Sequence, residues 1–281
     1  MKLPMQVDLK GKVAVVTGAG GVICSAMAEA LALSGAKVAL LDLNEEAAQK
    51  GADRIAANGS VAKGYKCNVL ERESIEAARD AIAADLGACD ILVNGAGGNN
   101  PKATTDDEYF QPENLGEMKT FFDLDPSGVQ FVFSLNFMGT LLPTQVFAKD
   151  MVNKTGANII NIASMNAYTP LTKIPAYSGA KAAVVNFTEW LSVHFSKVGI
   201  RCNAIAPGFL TTAQNRALLF NEDGTPTART DKILAGTPME RFGEPEELLG
   251  ALLFLASEEA SGFVSGVCIP VDGAFHAYSG V

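Results

Sequence analysis

A chain of 281 residues with 48% hydrophobic and 19% charged residues has globular composition and enough length to bury a large core within a single domain, 1–281. Its net charge of −9 and isoelectric point near 4.8 argue against a nucleic acid or an anionic membrane as partner. No apolar run of bilayer length is expected, and the start of the chain, broken by Pro4, Gln6 and Asp8, has no signal-peptide core, so residence in the cytoplasm is expected.

Short β-branched runs alternate with longer segments of helical period, the pattern of repeated strand–helix–strand units around a parallel sheet. Residues 12–17 read as a buried strand, a glycine-rich turn follows, and 25–33 carry a helical apolar repeat. Next come a strand at 37–41, a helix over 45–58, a strand near 61–66, a helix over 71–86 and a strand at 90–94. Asp125 with Pro126 marks a helix start, the Asp as cap and Pro at the first helical position, and that helix is expected to reach about Asn153. A strand at 157–162, a helix from Pro175 to about Lys197, a strand at 200–206 ending in Pro207-Gly208, a helix over 245–256 and a strand at 267–271 complete the series. The fold class is α/β, a doubly wound Rossmann fold with a seven-stranded parallel sheet and helices on both faces. The five cysteines, Cys24, Cys67, Cys89, Cys202 and Cys268, show no metal-ligand spacing and read as reduced core residues. His194 and His276 have no metal partners at sensible spacing either, so no metal is expected.

After the first strand the chain reads Thr17-Gly18-Ala19-Gly20-Gly21-Val22-Ile23-Cys24, a turn that opens a helix and can bring backbone N–H groups against phosphate oxygens. Asp42 closes the second strand, 24 residues after Gly18, where a carboxylate can accept hydrogen bonds from ribose hydroxyls. It would also repel a 2′-phosphate, which favours NAD over NADP. Tyr177 and Lys181 stand four apart on one helix and share a face. A phenol titrates near 10, and lowering it to about 7 requires roughly 4 kcal/mol of phenolate stabilisation, for which Lys181 and the oxidised nicotinamide both carry the right charge.

Thr17-Gly18, Asn94-Gly95-Ala96-Gly97 and Tyr177-Ser-Gly-Ala-Lys181 together resemble the short-chain dehydrogenase/reductase family over nearly the whole chain. The resemblance implies NAD-dependent hydride transfer between an alcohol and a ketone, with Tyr177 as acid and base, Lys181 beside it, Ser164 bonding the reacting oxygen and Asn136 positioning a water linked to the lysine. The cofactor is implied to lie along Gly18, Gly20, Gly21, Val22, Ile23, Asp42, Asn68, Val69, Asn94 to Gly97, Pro207, Gly208 and one of Thr211 and Thr212, with Tyr177 and Lys181 at its reactive end. Asn68 stands where the family commonly has Asp beside the adenine. Val22 and Cys24 replace the second and third glycines of the family turn, leaving Gly20 and Gly21 to supply its flexibility, and Gly95 replaces an Asn.

From Asn94 to Asn136 the chain is longer than this family typically is, so 98–127 is read as an insertion at the substrate mouth and 209–236 as a lid. Lys102, Lys173 and Arg216 could form a local anion site, with Asn99, Asn100 and Asn166 serving hydroxyls. Residues 95–106 and 164–177 resemble the D-mannonate oxidoreductase branch, which implies interconversion of D-mannonate and D-fructuronate, and the wider family resemblance implies a homotetramer. The alternatives are the same chemistry on gluconate or another polyol, and a non-catalytic NAD-binding regulatory protein.

Overall fold

The computed structural model describes residues 7–212 and 219–280. Among them seven parallel strands form one sheet in the order β3-β2-β1-β4-β5-β6-β7. The strands are β1 (Val13–Thr17), β2 (Lys37–Asp42), β3 (Ala62–Lys66), β4 (Ile91–Asn94), β5 (Asn158–Ile162), β6 (Arg201–Pro207) and β7 (Cys268–Val271). Alternation along a strand sends successive side chains to opposite faces, and β1 shows this directly. Ala14 and Val16 join a core with Met27 and Leu31 of α1 (Val22–Leu33), Ile55 of α2 (Glu45–Ala57) and Leu252 and Leu255 further along the chain. Val13 and Val15 join the opposite core, with Ile75 and Ile82 of α3 (Arg72–Asp85). Both faces are thus covered, which is why the strands read as continuous apolar runs.

The strand order reverses between β1 and β4, and a crevice opens beyond the carboxyl ends of the strands at that switch point. Asp125 caps α4 (Pro126–Phe133) as expected, its carboxylate accepting from Ser127 N. The expected continuous helix is instead interrupted by a π-helical turn at Ser134–Met138 before α5 (Gly139–Met151), and it stops at Met151, short of Asn153, whose φ is +60°. A π turn widens the backbone locally and displaces side chains from α-helical register. Within Pro126–Met151 an 18-residue window has a mean hydropathy of 1.3, so it is apolar enough to match a membrane span by composition, correcting the expectation that no such run exists. Half of that window is buried inside the fold, including Val146 and Phe147 of the second core.

Further along lie α6 (Pro175–His194), α7 (Ala228–Ala235), α8 (Leu249–Ala256) and α9 (Glu258–Ser261). The helix over 175–197 therefore ends earlier than expected, and a 3-10 turn covers Ser196–Val198. α8 begins after a 3-10 turn at Pro245–Leu248, and α7 and α9 were not anticipated. Four cysteines are buried, but Cys268 is only partly covered because β7 is the sheet's edge.

Candidate active site

The glycine turn after β1 is held by its neighbours. Gly18 has φ +68°, and a β-carbon there would stand 2.9 Å from the backbone of Ala96, so only glycine fits. Gly20 and Gly21 keep negative φ, contrary to the expectation that they supply the turn's flexibility. Gly20 is instead needed for space: a β-carbon would lie 2.9 Å from both Asp42 and Ala47. Its N–H donates to Asp42 Oδ2 at 2.9 Å, while Asp42 Oδ1 accepts from Asn44 N, also at 2.9 Å. The carboxylate is thereby locked at the end of β2 with lone pairs left on both oxygens. Gly21 is the N-cap of α1 and offers no side-chain cap, so Val22 and Ile23 open a helix whose first N–H groups are available to an anion. Val22 keeps negative φ, as its branched side chain demands.

Cys24 and Gly95, both departures from the family pattern, prove to be one feature. A β-carbon added at Gly95 would sit 2.2 Å from Cys24 Sγ and 3.0 Å from Thr17 O, so the thiol occupies the space a larger residue 95 would need. Burial pushes that thiol up to about 12, which keeps it neutral. Thr17, buried at the end of β1, accepts from Gly95 N and Ala96 N through its hydroxyl at 3.0 and 3.2 Å. Asn94 turns inward and donates to Thr144 Oγ1 and Asn161 Oδ1, each at 2.9 Å. Its side chain therefore ties β4 to β5 and α5, while Gly95, Ala96 and Gly97 line the crevice.

The crevice has a volume of about 880 Å³ and is lined by Gly18, Gly21, Val22, Ile23, Asp42, Asn68, Val69, the 95–97 segment, Gly208 and Thr212. Cys24 and Cys67 also line it, and its other walls, Leu43, Leu70, Phe131, Leu135, Phe209 and Leu210, had no signal in the sequence because they are apolar residues that only the fold gathers. Asn68 Oδ1 accepts from Leu70 N at 3.1 Å, so its oxygen is already engaged within its own loop. Thr211 uses its N–H on Gly243 O, and Thr212 is the threonine that faces the crevice. Gly208 follows Pro207 at the end of β6 and is required for packing, since a β-carbon would meet Asp272 Cα at 2.5 Å.

Beside Gly97 of this crevice the four expected catalytic residues converge. Lys181, 4% exposed, donates to Ile162 O at 2.8 Å, and its ammonium lies 5.7 Å from the Tyr177 ring centre. Burial pulls Lys181 down to about 8. Burial also raises the Tyr177 phenol above its ordinary value, while a hydrogen bond with the Ser164 hydroxyl pulls it back down. Asn136 sits on the π turn, donates Nδ2 to Gly98 O and Val132 O at 2.8 Å each, and accepts from Gly98 N at 3.2 Å. Gly97 leaves the opening between them: a β-carbon there would stand 2.7 Å from Asn136 Oδ1 and 3.1 Å from Lys181 Nζ.

The expected substrate residues are less united. Lys102 pairs with Asp125 at 3.4 Å, and Asn99 donates to Thr104 Oγ1 at 2.9 Å. Asn100 caps the 3-10 turn Pro101–Ala103 by accepting from Lys102 N. These three are committed to the 98–127 segment itself. Lys173 adopts φ +71° and its carbonyl accepts from Thr105 N, docking that segment onto the loop before α6. Asn166 is 4% exposed, and its Oδ1 has no hydrogen-bond partner among the described residues. Arg216 lies outside the described residues.

The residues present fit a dinucleotide: a glycine cradle that a β-carbon would fill, an open helix N-terminus and a fixed carboxylate at the second strand. Residues 12–222 match the family model for short chain dehydrogenases. A crystal structure of a candidate D-mannonate oxidoreductase from Haemophilus influenzae with bound NAD is 64% identical, superposes with a TM-score of 0.95 and covers 100% of both chains. The uncharacterized oxidoreductase UxuB of Bacillus subtilis is 53% identical over 99% of this chain and 100% of its own length. A gluconate 5-dehydrogenase from Burkholderia cenocepacia, solved with NADP and tartrate, is 31% identical, has a TM-score of 0.81, and the alignment covers 98% of this chain and 99% of that one. With its switch-point crevice and its converging Tyr177, Lys181, Ser164 and Asn136, the chain belongs to the short-chain dehydrogenase family.

Proposed function

We propose that the protein interconverts D-mannonate and D-fructuronate with NAD. Bound nicotinamide supplies the hydride acceptor or donor. Tyr177 takes the hydroxyl proton during oxidation and returns it during reduction. Ser164, already bonded to the phenol, holds the reacting oxygen. Lys181, titrating at about 8, retains most of its positive charge at neutral pH and favours the phenolate electrostatically. Asp42 selects the unphosphorylated ribose of NAD.

The observation that carries the polyol reading is Asn166. Its buried, unpartnered oxygen stands two residues beyond Ser164, and a buried acceptor without a donor costs about 1–3 kcal/mol. A substrate hydroxyl would satisfy it. Lys173, four residues before Tyr177, is the cation we assign to the carboxylate, with the 98–127 segment forming the mouth and 209–236 the lid. The candidate D-mannonate oxidoreductase of Haemophilus influenzae supports the hexonate, and the gluconate 5-dehydrogenase of Burkholderia cenocepacia makes gluconate the second reading. The gathered catalytic set argues against a purely regulatory NAD-binding protein.

Nicotinamide absorbance followed with NAD or NADP, hexonic acids and neutral polyols tests the assignment. D-Mannonate with NAD is expected to give the highest kcat/KM, and Lys173→Gln to raise KM for acids but not for neutral polyols. Activity confined to neutral polyols refutes it. The family and the exposed apolar side chains Phe133, Trp190 and Val193 support a homotetramer, and the family supports a cytoplasmic location. Sedimentation at micromolar concentration checks the tetramer, and a monomer would refute it.

A further inference from the structure

The last turn of the chain, Phe275–Ala277, reaches back to the loop that carries Ser164. Thr169 donates its hydroxyl to His276 O at 3.1 Å, and the Tyr168 and His276 rings lie 5.3 Å apart. Tyr168 and Thr169 immediately follow the 3-10 turn Met165–Ala167, which Ser164 caps through Asn166 N. His276 is itself held by Asp272. Its N–H donates to Asp272 Oδ2 at 2.9 Å, its ring Nδ1 lies 2.7 Å from the same oxygen, and Asp272 Oδ1 accepts from Ala274 N at 3.0 Å. The Asp272 side chain is 3% exposed. These bonds hold Ala274 at φ +71°, a conformation an alanine seldom adopts.

The same turn faces the opposite side of the mouth. Phe275 packs edge-to-face on Phe209 at 5.3 Å and against Gly236, the C-cap of α7, where a β-carbon would meet its ring at 3.0 Å. Met239 N donates to Gly273 O at 3.3 Å. Asp272 also backs Gly208 at the end of β6. One short segment, Asp272 to His276, therefore touches the serine loop, the end of β6 and the chain that follows α7.

We propose that Asp272 and His276 form a clasp that positions Ser164 for the reaction and couples it to Phe209 and the end of α7, His276 being a positioning residue. Neither touches the phenol or the crevice's glycine cradle. Loss of the clasp should therefore slow turnover without weakening dinucleotide binding. The proposal rests on Ser164 holding the reacting oxygen, as argued above, and does not depend on which polyol is the substrate.

The test compares wild type, His276→Ala, His276→Gln and Thr169→Val, each as the full chain. Calorimetric titration gives the Kd for NAD, steady-state kinetics with D-mannonate give kcat and KM, and hydrogen–deuterium exchange reports on residues 164–174. His276→Ala should lower kcat about tenfold, since small misplacements of a catalytic group cost one to two orders of magnitude. It should leave the Kd for NAD within about twofold and speed exchange over 164–174 but not over 13–24. His276→Gln, which keeps a donor toward Asp272, should recover most of kcat, and Thr169→Val should show the exchange effect in milder form. Unchanged exchange over 164–174 in His276→Ala overturns the clasp, whether or not D-mannonate is turned over. Exchange rising equally over 13–24, or a parallel loss of NAD affinity, also overturns it by showing general loosening. A wild type inactive on D-mannonate with the exchange pattern intact refutes the substrate assignment and leaves the clasp standing.

Discussion

Replacing Gly95 by alanine tests whether Cys24 and Gly95 are matched in size. The new methyl carbon would stand 2.2 Å from Cys24 Sγ, more than about 1 Å inside an ordinary heavy-atom contact. Neither side can give way easily, because Thr17 O bounds the methyl at 3.0 Å and Cys24 is fixed on the first turns of α1. Overpacking of this kind costs about 1–3 kcal/mol, and the tight overlap argues for the upper half of that range. Moving α1 would also disturb its N-terminus, so the Kd for NAD should rise about tenfold. Cys24→Gly alone should cost about 1 kcal/mol for glycine in a helix and about 1 kcal/mol for lost burial. Combined with Gly95→Ala it removes the obstruction, so the double variant should be more stable than the sum of the single changes by about 2 kcal/mol. Urea unfolding of the four proteins gives the coupling energy, and calorimetric titration gives NAD affinity. An additive cycle, or Gly95→Ala within about 0.5 kcal/mol of wild type, refutes the size match.

Lys181→Met should abolish turnover yet reveal a stability effect of defined sign. The native lysine titrates at about 8 against an ordinary 10.5, so the unfolded chain holds the extra proton between those values and wild-type stability rises with pH across that window. The rise amounts to about 3 kcal/mol at most. Stability measured at pH 7 and pH 10 should show it in wild type and not in Lys181→Met, and equal slopes refute the buried charge. Tyr177→Phe should lower kcat by about 10²–10⁴ while NAD affinity stays within about twofold, and a loss confined to NAD binding would contradict its proton-transfer role. Asp42→Asn should weaken NAD binding while narrowing its advantage over NADP, as read from the two Kd values. Retention of the full NAD preference would show that the carboxylate does not set it. Gly97→Ala should lower kcat at least tenfold, because the methyl would intrude on Asn136 Oδ1 and Lys181 Nζ, and near-normal kcat would show that this opening is not used.

The departures from the family pattern show how far a linear reading reaches. Val22 and Cys24 read as weaknesses of the glycine turn, and Gly95 as a separate loss. Only the folded chain shows that the thiol fills the place beside Gly95, since the two positions are brought together by packing. Asn94 was legible as important, but its inward turn to Thr144 and Asn161 depends on neighbours 50 and 67 residues away. Lys102 and Asn99 read as substrate groups, and local partners, Asp125 and Thr104, take them up instead.

The sequence by itself determined the alternation of strands and helices, the glycine turn, Asp42, and the Tyr177 and Lys181 pair, because each is written in local periodicity or in a spacing within one element. The tertiary structure alone decided the crevice's apolar walls, the π turn that presents Asn136, the raised Tyr177 and lowered Lys181, and the contact of the chain's last turn with the serine loop. Those depend on desolvation and on contacts between residues far apart in the chain, which no local pattern encodes.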